Sequence, residues 1–365
     1  MIKIAFVKYG GLSAGGTEVH LQTVAANLPK NNFLIDYFYC DATRYIGSDW
    51  VHPDTDIYRK KYLESKEINL IKFDVEAKDI TVKTHPWVNT NFWEKFSEDN
   101  YDVIISARAG DPEYPFTKIL NKPLIFFITL NAGVDNQSNI YRNILISNWQ
   151  SKQWIKKGGD INRMAVYPLL KELTFQQKNS LENKKNKFVY GFHQRDNDQI
   201  FSEVPLLAYK KIMNKDTEFK ILGGSKKYSL LANKLNLINF KQLEHSGDDI
   251  VIGNFLSSLD VYTHGRSDGE TFGQVFVEAM YHNLPIVSHR ALNNAQIEVI
   301  GNAGKVFSKK NILGYSLEMR KLKNNKKYYD MRSYNASNRY ETEYSLDANI
   351  GKLVFEIEQA VNLKS

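Results

Sequence analysis

The chain has 365 residues, 42% apolar and 24% charged, with a formal charge of +7 and a single cysteine. That is globular composition, long enough for two separate cores. It excludes an internal disulfide, and no apolar run approaches the ~20 residues of a membrane span. No zinc-ligand spacing or aromatic–basic strand motif suggests a nucleic-acid module, so no nucleic-acid partner is expected.

In chain order, the first apolar run, Ile2–Val7, reads as a buried strand with no signal-peptide layout ahead of it. A cytoplasmic protein is therefore expected, with peripheral membrane contact as a further expectation. Next comes the glycine-containing loop Tyr9–Glu18, in which Gly15 and Gly16 let backbone approach a ligand just before a helix. A plain strand–helix turn is the equal alternative. The helix itself is marked by Leu21, Val24, Ala25 and Leu28 on one face and is ended by Pro29.

Further short runs follow at Phe33–Cys40, Ile68–Val75, Val103–Ala107, Leu124–Thr129, Ile144–Ser147 and Ala165–Leu169. Cys40 closes the first of these as a small core residue. A polar, Lys-rich gap, Lys171–Asn186, reads as a linker. The runs then resume at Lys187–Phe192, Glu218–Leu222, Asp260–His264, Pro285–Ser288 and Gly304–Phe307. Such runs alternating with helices predict parallel α/β units. The expected division is a first domain over 1–175 plus a closing helix over 345–365, and a second over 186–344. Ile350, Leu353, Val354, Ile357 and Val361 give that closing helix its apolar face. The basic clusters Lys178–Lys187 and Lys305–Lys327 read first as solvated faces and second as contacts for anionic headgroups.

Chemistry concentrates in the second half. Gly191–Arg195 ends a strand with His193 and Arg195, and Arg195 there is well placed for a phosphate, a surface Arg being the alternative. Gly223–Lys227 repeats the theme with Lys226, which reads first as a solvated side chain and second as a phosphate contact. His264–Met280 carries Glu270 and Glu278 with seven residues between them. Thr271, Phe272, Gly273 and Gln274 are expected as the first helical turn, offering N–H groups to a phosphate. Gln274, Glu278 and His282 are four apart and could equally form a solvated stripe. A buried Glu278 would need partners, and a ribose diol offers two hydroxyls. No metal site is expected: the histidines are scattered, and Asp54-Thr55-Asp56 lies in a polar loop.

These residues resemble the group 1 (family 4) retaining glycosyltransferases. Glu270-x7-Glu278 with Phe272-Gly273 and Ala279-Met280 matches the family signature, and Gly15-Gly16-Thr17-Glu18 is similar to its N-terminal glycine loop. Asn283–Val287 and Tyr344–Leu363 are similar to its later strand and closing helix. The resemblance implies an α/β chain of GT-B fold, two Rossmann-like domains facing across a cleft. It implies transfer of sugar from a UDP- or GDP-sugar, with retention and without a metal or other cofactor. The acceptor would be a glycan, a lipid-linked group or another hydroxyl.

By resemblance, Glu270 meets the donor sugar, Glu278 the ribose, Thr271–Gln274 the distal phosphate, and Arg195 the diphosphate. His193 and Gly16 join the donor site, and Gly15 the acceptor side. The family pairs its Arg with a Lys a few residues on. Asp196–Phe201 has none, which leaves Lys226 or Arg266 for that role. Where the family has an acceptor-side His, the strand end here carries Arg108, pointing to an acidic acceptor or to a structural ion pair. The competing readings are a sugar-nucleotide 2-epimerase of the same fold and a non-catalytic nucleotide- or glycan-binding relative.

Overall fold

The computed structural model describes residues 1–8, 10–40, 55–74, 90–108, 121–131, 133–173 and 187–362. Tyr9, Asp54, Val75 and most of the expected linker, from residue 174 to 186, lie outside the described residues. The chain divides into two compact units, Met1–Glu172 with Leu346–Ser365, and Leu173–Ser345.

In the first unit seven strands are described: β1 (Ile2–Val7), β2 (Phe33–Tyr39), β3 (Asn69–Lys72), β4 (Val103–Arg108), β5 (Leu124–Ile128), β6 (Ile140–Leu145) and β7 (Met164–Val166). All pair in parallel, in the order β3-β2-β1-β4-β5-β6-β7. The central strands are buried along their whole length, which is why they read as continuous apolar runs. Two corrections to the expected strands have local causes. β6 starts at Ile140, four residues before its apolar run, because Arg142 and Asn143 find partners in Glu356 and the Asp135 carbonyl. β7 stops at Val166, so Tyr167–Leu169 is not strand.

Helix Gly16–Asn27 packs Leu21, Val24 and Ala25 on the sheet, beside Ile4, Phe6 and Ile105. The same apolar cluster receives Leu353, Ile357 and Ala360 from helix Leu346–Asn362. Glu356 of that helix accepts from Arg142 Nε at 2.9 Å and from the Tyr167 hydroxyl at 2.8 Å. Cys40 is buried, and its Sγ accepts from the Gly10 N–H.

The second unit is built on β8 (Phe188–Gln194), β9 (Thr217–Gly223), β10 (Phe240–Leu243), β11 (Val261–Thr263), β12 (Gly269–Glu270), β13 (Ile286–His289), β14 (Asn293–Asn294) and β15 (Gly304–Phe307). Among the described residues, six of these form a parallel sheet in the order β10-β9-β8-β11-β13-β15. β12 and β14 pair separately. β10 had no signature in the sequence, because Phe240-Lys241-Gln242-Leu243 is a short, half-exposed edge.

Candidate functional site

Strand order in the second unit runs outward from β8 through β9 to β10, and from β11 through β13 to β15. The carboxyl ends of β8 and β11 therefore flank a topological switch point, where the following loops diverge and leave room for a ligand. His193 lies one residue before the end of β8, and His264 directly follows β11. Each of the two holds one of the signature glutamates.

Glu270 sits in β12, a two-residue strand pinned by its neighbours. It pairs with Asn294, its N–H donates to Gln296 Oε1 at 3.2 Å, and its carbonyl accepts from the Ala295 N–H at 3.0 Å. Gly269 before it has φ +75°, and a Cβ there would lie 1.9 Å from the Asn293 carbonyl oxygen. Only glycine lets β12 approach β14 in this way. The Glu270 side chain is 12% exposed, and its Oε1 lies 3.2 Å from His264 Nε2 and 3.4 Å from Arg266 Nη1. His264 Nδ1 contacts Ser288 Oγ at 3.1 Å. Arg266 donates through Nε and Nη2 to Asp268 at 2.8 and 2.7 Å. Burial works against the Arg266 charge, but the Glu270 and Asp268 carboxylates outweigh it and hold the guanidinium above its ordinary value. Arg266 is thus committed to carboxylates, which corrects its expected availability for a diphosphate.

Glu278 lies in the second turn of helix Gln274–Tyr281 and is 4% exposed. Its Oε2 is 2.7 Å from His193 Nε2. The Tyr262 hydroxyl donates to the His193 carbonyl at 3.3 Å and lies 3.4 Å from its Nδ1. Burial, reinforced by the Glu278 charge, raises the Tyr262 phenol well above its ordinary value, so it stays a donor. His282 is also fully buried, with Nδ1 at 3.1 Å from Ser257 Oγ. The solvated-stripe reading of Gln274, Glu278 and His282 is therefore dismissed.

The turn joining these glutamates differs from expectation. Thr271, Phe272 and Gly273 are not helical; the helix starts at Gln274. Gly273 has φ +94° and stands at the N-cap, a left-handed conformation that cannot continue a helix. No side chain caps the helix, so its first N–H groups are not satisfied by a cap. Phe272 is buried edge-on to Tyr344, with ring centroids 5.7 Å apart, which fixes the turn from below. Both amide atoms of Gln274 are buried without a hydrogen-bond partner.

Arg195 and Lys226 follow adjacent strands, where Gln194 of β8 pairs with Gly223 of β9. Both side chains are exposed, and neither forms a hydrogen bond or ion pair with a described residue. Lys227 differs, lying 3.4 Å from Asp198. Gly223 and Gly224 have φ +73° and +78° and turn the chain between them.

In the first unit the switch point falls between β1 and β4. Gly15 is the N-cap of helix Gly16–Asn27, and a Cβ there would meet Glu18 Oε2 at 2.3 Å, whereas one at Gly16 would meet nothing. Buried Lys8, just past β1, donates to the Ala107 carbonyl at 3.1 Å and lies 3.7 Å from Glu18. Thr17 and Thr129 share a 2.6 Å hydrogen bond. Arg108 is 1% exposed, donates from Nη2 to the Gly133 carbonyl at 2.8 Å and stacks over Phe126 at 5.7 Å. The sequence carries one clue to the histidine–glutamate pairs: a histidine, His264, ends the run Asp260–His264, and another, His193, directly follows the run Lys187–Phe192. Among the described residues no group of three or more His, Cys, Asp and Glu could hold a metal ion, and no helix is long and apolar enough to cross a membrane.

Residues 174–339 match the family model described as glycosyl transferases group 1. No curated protein matches the chain. Solved structures do, at low identity. The Anabaena protein HepE, crystallised with UDP and glucose, is 17% identical, with 99% of this chain and 100% of that chain covered and a TM-score of 0.72. A glycosyltransferase from Rickettsia africae is 14% identical, with 99% and 98% covered and a TM-score of 0.75. The sucrose-phosphate synthase of Thermosynechococcus elongatus is 13% identical over the full length of both, with a TM-score of 0.74. The fold is thus the GT-B fold, two Rossmann-like units, that these enzymes share.

Proposed function

From the premise that the chain carries a group 1 glycosyl transferase domain on the fold of those enzymes, we propose that it moves a sugar from a nucleotide-diphosphate sugar to a hydroxyl acceptor. Transfer proceeds with retention of configuration and without a metal. UDP-sugars are favoured over GDP-sugars, because the Anabaena relative is described with UDP and with UDP-glucose.

The observation that carries this reading is the pair of carboxylates at one switch point, partly exposed Glu270 and buried Glu278, on either side of an uncapped helix start. Glu270 accepts from the hydroxyls of the donor sugar. Glu278, anchored by His193, accepts from the ribose. The backbone N–H groups after Gly273 hold the distal phosphate between them. Arg195 and Lys226, exposed side by side, neutralise the departing diphosphate, a preorganised electrostatic role that needs no reorganisation during the reaction. In that role Lys226 replaces the lysine expected soon after Arg195. The acceptor oxygen bonds to the anomeric carbon on the face from which the diphosphate leaves, the bond from that carbon to the diphosphate breaks, and a diphosphate oxygen takes the acceptor proton. Acceptor recognition belongs to the first unit, at the Gly15–Gly16 turn, whereas Arg108, 1% exposed and donating to the Gly133 carbonyl, is too buried to touch an acceptor. A glycan or lipid-linked acceptor fits this arrangement, and a peripheral membrane contact goes with the lipid-linked case.

The test is a screen of UDP- and GDP-sugars for transfer, followed by Glu270→Ala. Transfer should fall by about 100-fold, as expected when a charge-assisted contact to the reacting sugar is lost. An unchanged rate, or a product of inverted anomeric configuration, overturns the reading.

A further inference from the structure

Glu270 is held asymmetrically. Both of its side-chain contacts, from His264 Nε2 at 3.2 Å and Arg266 Nη1 at 3.4 Å, fall on Oε1. Oε2 has no hydrogen-bond partner among the described residues, nor is it one of the buried atoms left without a partner, so it opens to solvent. The carboxylate is tethered by one oxygen and presents the other.

The tether continues inward. His264 is 3% exposed, Ser288 is fully buried, and the 3.1 Å contact between them involves Nδ1. A carboxylate can only accept, so Nε2 carries the proton toward Glu270. In the neutral ring Nδ1 then accepts from the Ser288 hydroxyl. Three groups on β13, on the turn after β11 and on β12 are aligned by a single direction of hydrogen bonding. The ring is also clamped edge-on by Phe276, with centroids 4.6 Å apart, from the helix that carries Glu278. Arg266 secures the same oxygen from the other side, and is itself held in a fork by Asp268.

We propose that His264, oriented by Ser288, is a positioning residue that fixes the Glu270 carboxylate so that Oε2 alone reads the hydroxyls of the donor sugar. This rests on the reading of Glu270 given above. A free carboxylate would rotate and share its two oxygens among water and substrate. A tethered one is preorganised, so its contact with the sugar costs little ordering at the moment of reaction.

The experiment compares UDP with UDP-sugar on the full chain, by calorimetry and by initial rates, for the natural protein, His264→Leu, His264→Gln, Ser288→Ala and Glu270→Ala. His264→Leu should lower kcat about 10- to 100-fold, the range for losing one charge-assisted hydrogen bond. It should abolish most of the gain of UDP-sugar over UDP while leaving UDP affinity unchanged. His264→Gln keeps an N–H at the Nε2 position and should recover much of the loss. Combined with Glu270→Ala, His264→Leu should add nothing further. A His264→Leu protein with normal kcat, or one whose loss is equally large in the Glu270→Ala background, overturns the proposal. The same is true if UDP affinity falls in parallel. If the natural protein transfers no sugar from any donor and binds UDP-sugar no better than UDP, the underlying reading of Glu270 fails instead, and the proposal falls with it.

Discussion

At the scale of single residues, two exposed cations and one buried histidine differ in what their loss should do. Arg195 and Lys226 are exposed and uncommitted among the described residues. Arg195→Ala and Lys226→Ala should each leave the melting temperature unchanged, since exposed changes of this kind stay within about 0.5 kcal/mol. UDP affinity should fall roughly 10-fold for each, the lower end for losing a charge-assisted contact. Calorimetry with UDP, at two salt concentrations, checks both. His20 is the opposite kind. It lies on the buried face of helix Gly16–Asn27, and its Nδ1 accepts the Leu170 N–H at 2.8 Å. Burial pushes it down from 6.5 to about 3. The unfolded chain therefore binds the extra proton first, between about pH 6.5 and 3. Stability of the first unit should be complete above that window and be lost progressively as pH falls through it. Melting curves from pH 7 to 4 should show this slope, and His20→Gln, which has nothing to protonate, should flatten it. The glutamates could be found in the sequence because carboxylates at that spacing carry a chemical meaning. His193 was expected at the donor site, but its pairing with Glu278, and that of His264 with Glu270 and Ser288, could not be read, since these residues lie on or just after different strands and only sheet order brings them together.

Among the elements, the buried parallel strands were legible because burial on both faces leaves continuous apolar runs, as in β4 and β5. The two-residue strands β12 and β14 were not. Gly269-Glu270 and Asn293-Asn294 carry no apolar pattern, and specific bonds such as Glu270 N–H to Gln296 hold them. The start of the site helix was misjudged for a related reason. Thr271–Gln274 has ordinary helical spelling, but Gly273 takes φ +94°, which the fold imposes and the spacing does not reveal. Gly273→Ala tests how much the turn depends on it. An alanine there is strained by about 1–2 kcal/mol from its backbone alone. Its Cβ would also fall 2.4 Å from the Phe276 ring and 3.2 Å from Glu270 Cγ. The melting temperature should drop, and transfer should drop more than UDP affinity, because Glu270 is displaced directly. A fall in stability with normal transfer would show that the turn supports the helix without setting the carboxylate.

For the molecule as a whole, the first unit is built from two separated stretches of chain and the second from one. Leu353, Ile357 and Ala360 enter the core beside Ile4 and Phe6, and Glu356 binds Arg142 and Tyr167. The amphipathic spacing of this helix was plain in the sequence, while the Arg142–Glu356 pair was not. Stopping the chain at Ser345 should therefore destabilise the first unit and spare the second. Leu353→Ala alone should cost roughly 2–5 kcal/mol, as other buried leucines do. Calorimetry resolving the two transitions would check this, and a truncated chain with an unchanged first unit would refute it. The same arrangement sets a clock on biosynthesis. Leu173–Ser345 leaves the ribosome whole, whereas Met1–Glu172, made earlier, must wait for Leu346–Asn362 before its sheet is covered. The half of the protein that is translated first is the half that matures last, and its apolar face is what a chaperone would meet in the interval. Brief proteolysis of a released chain ending at Ser345 should accordingly cut the first unit and leave the second intact.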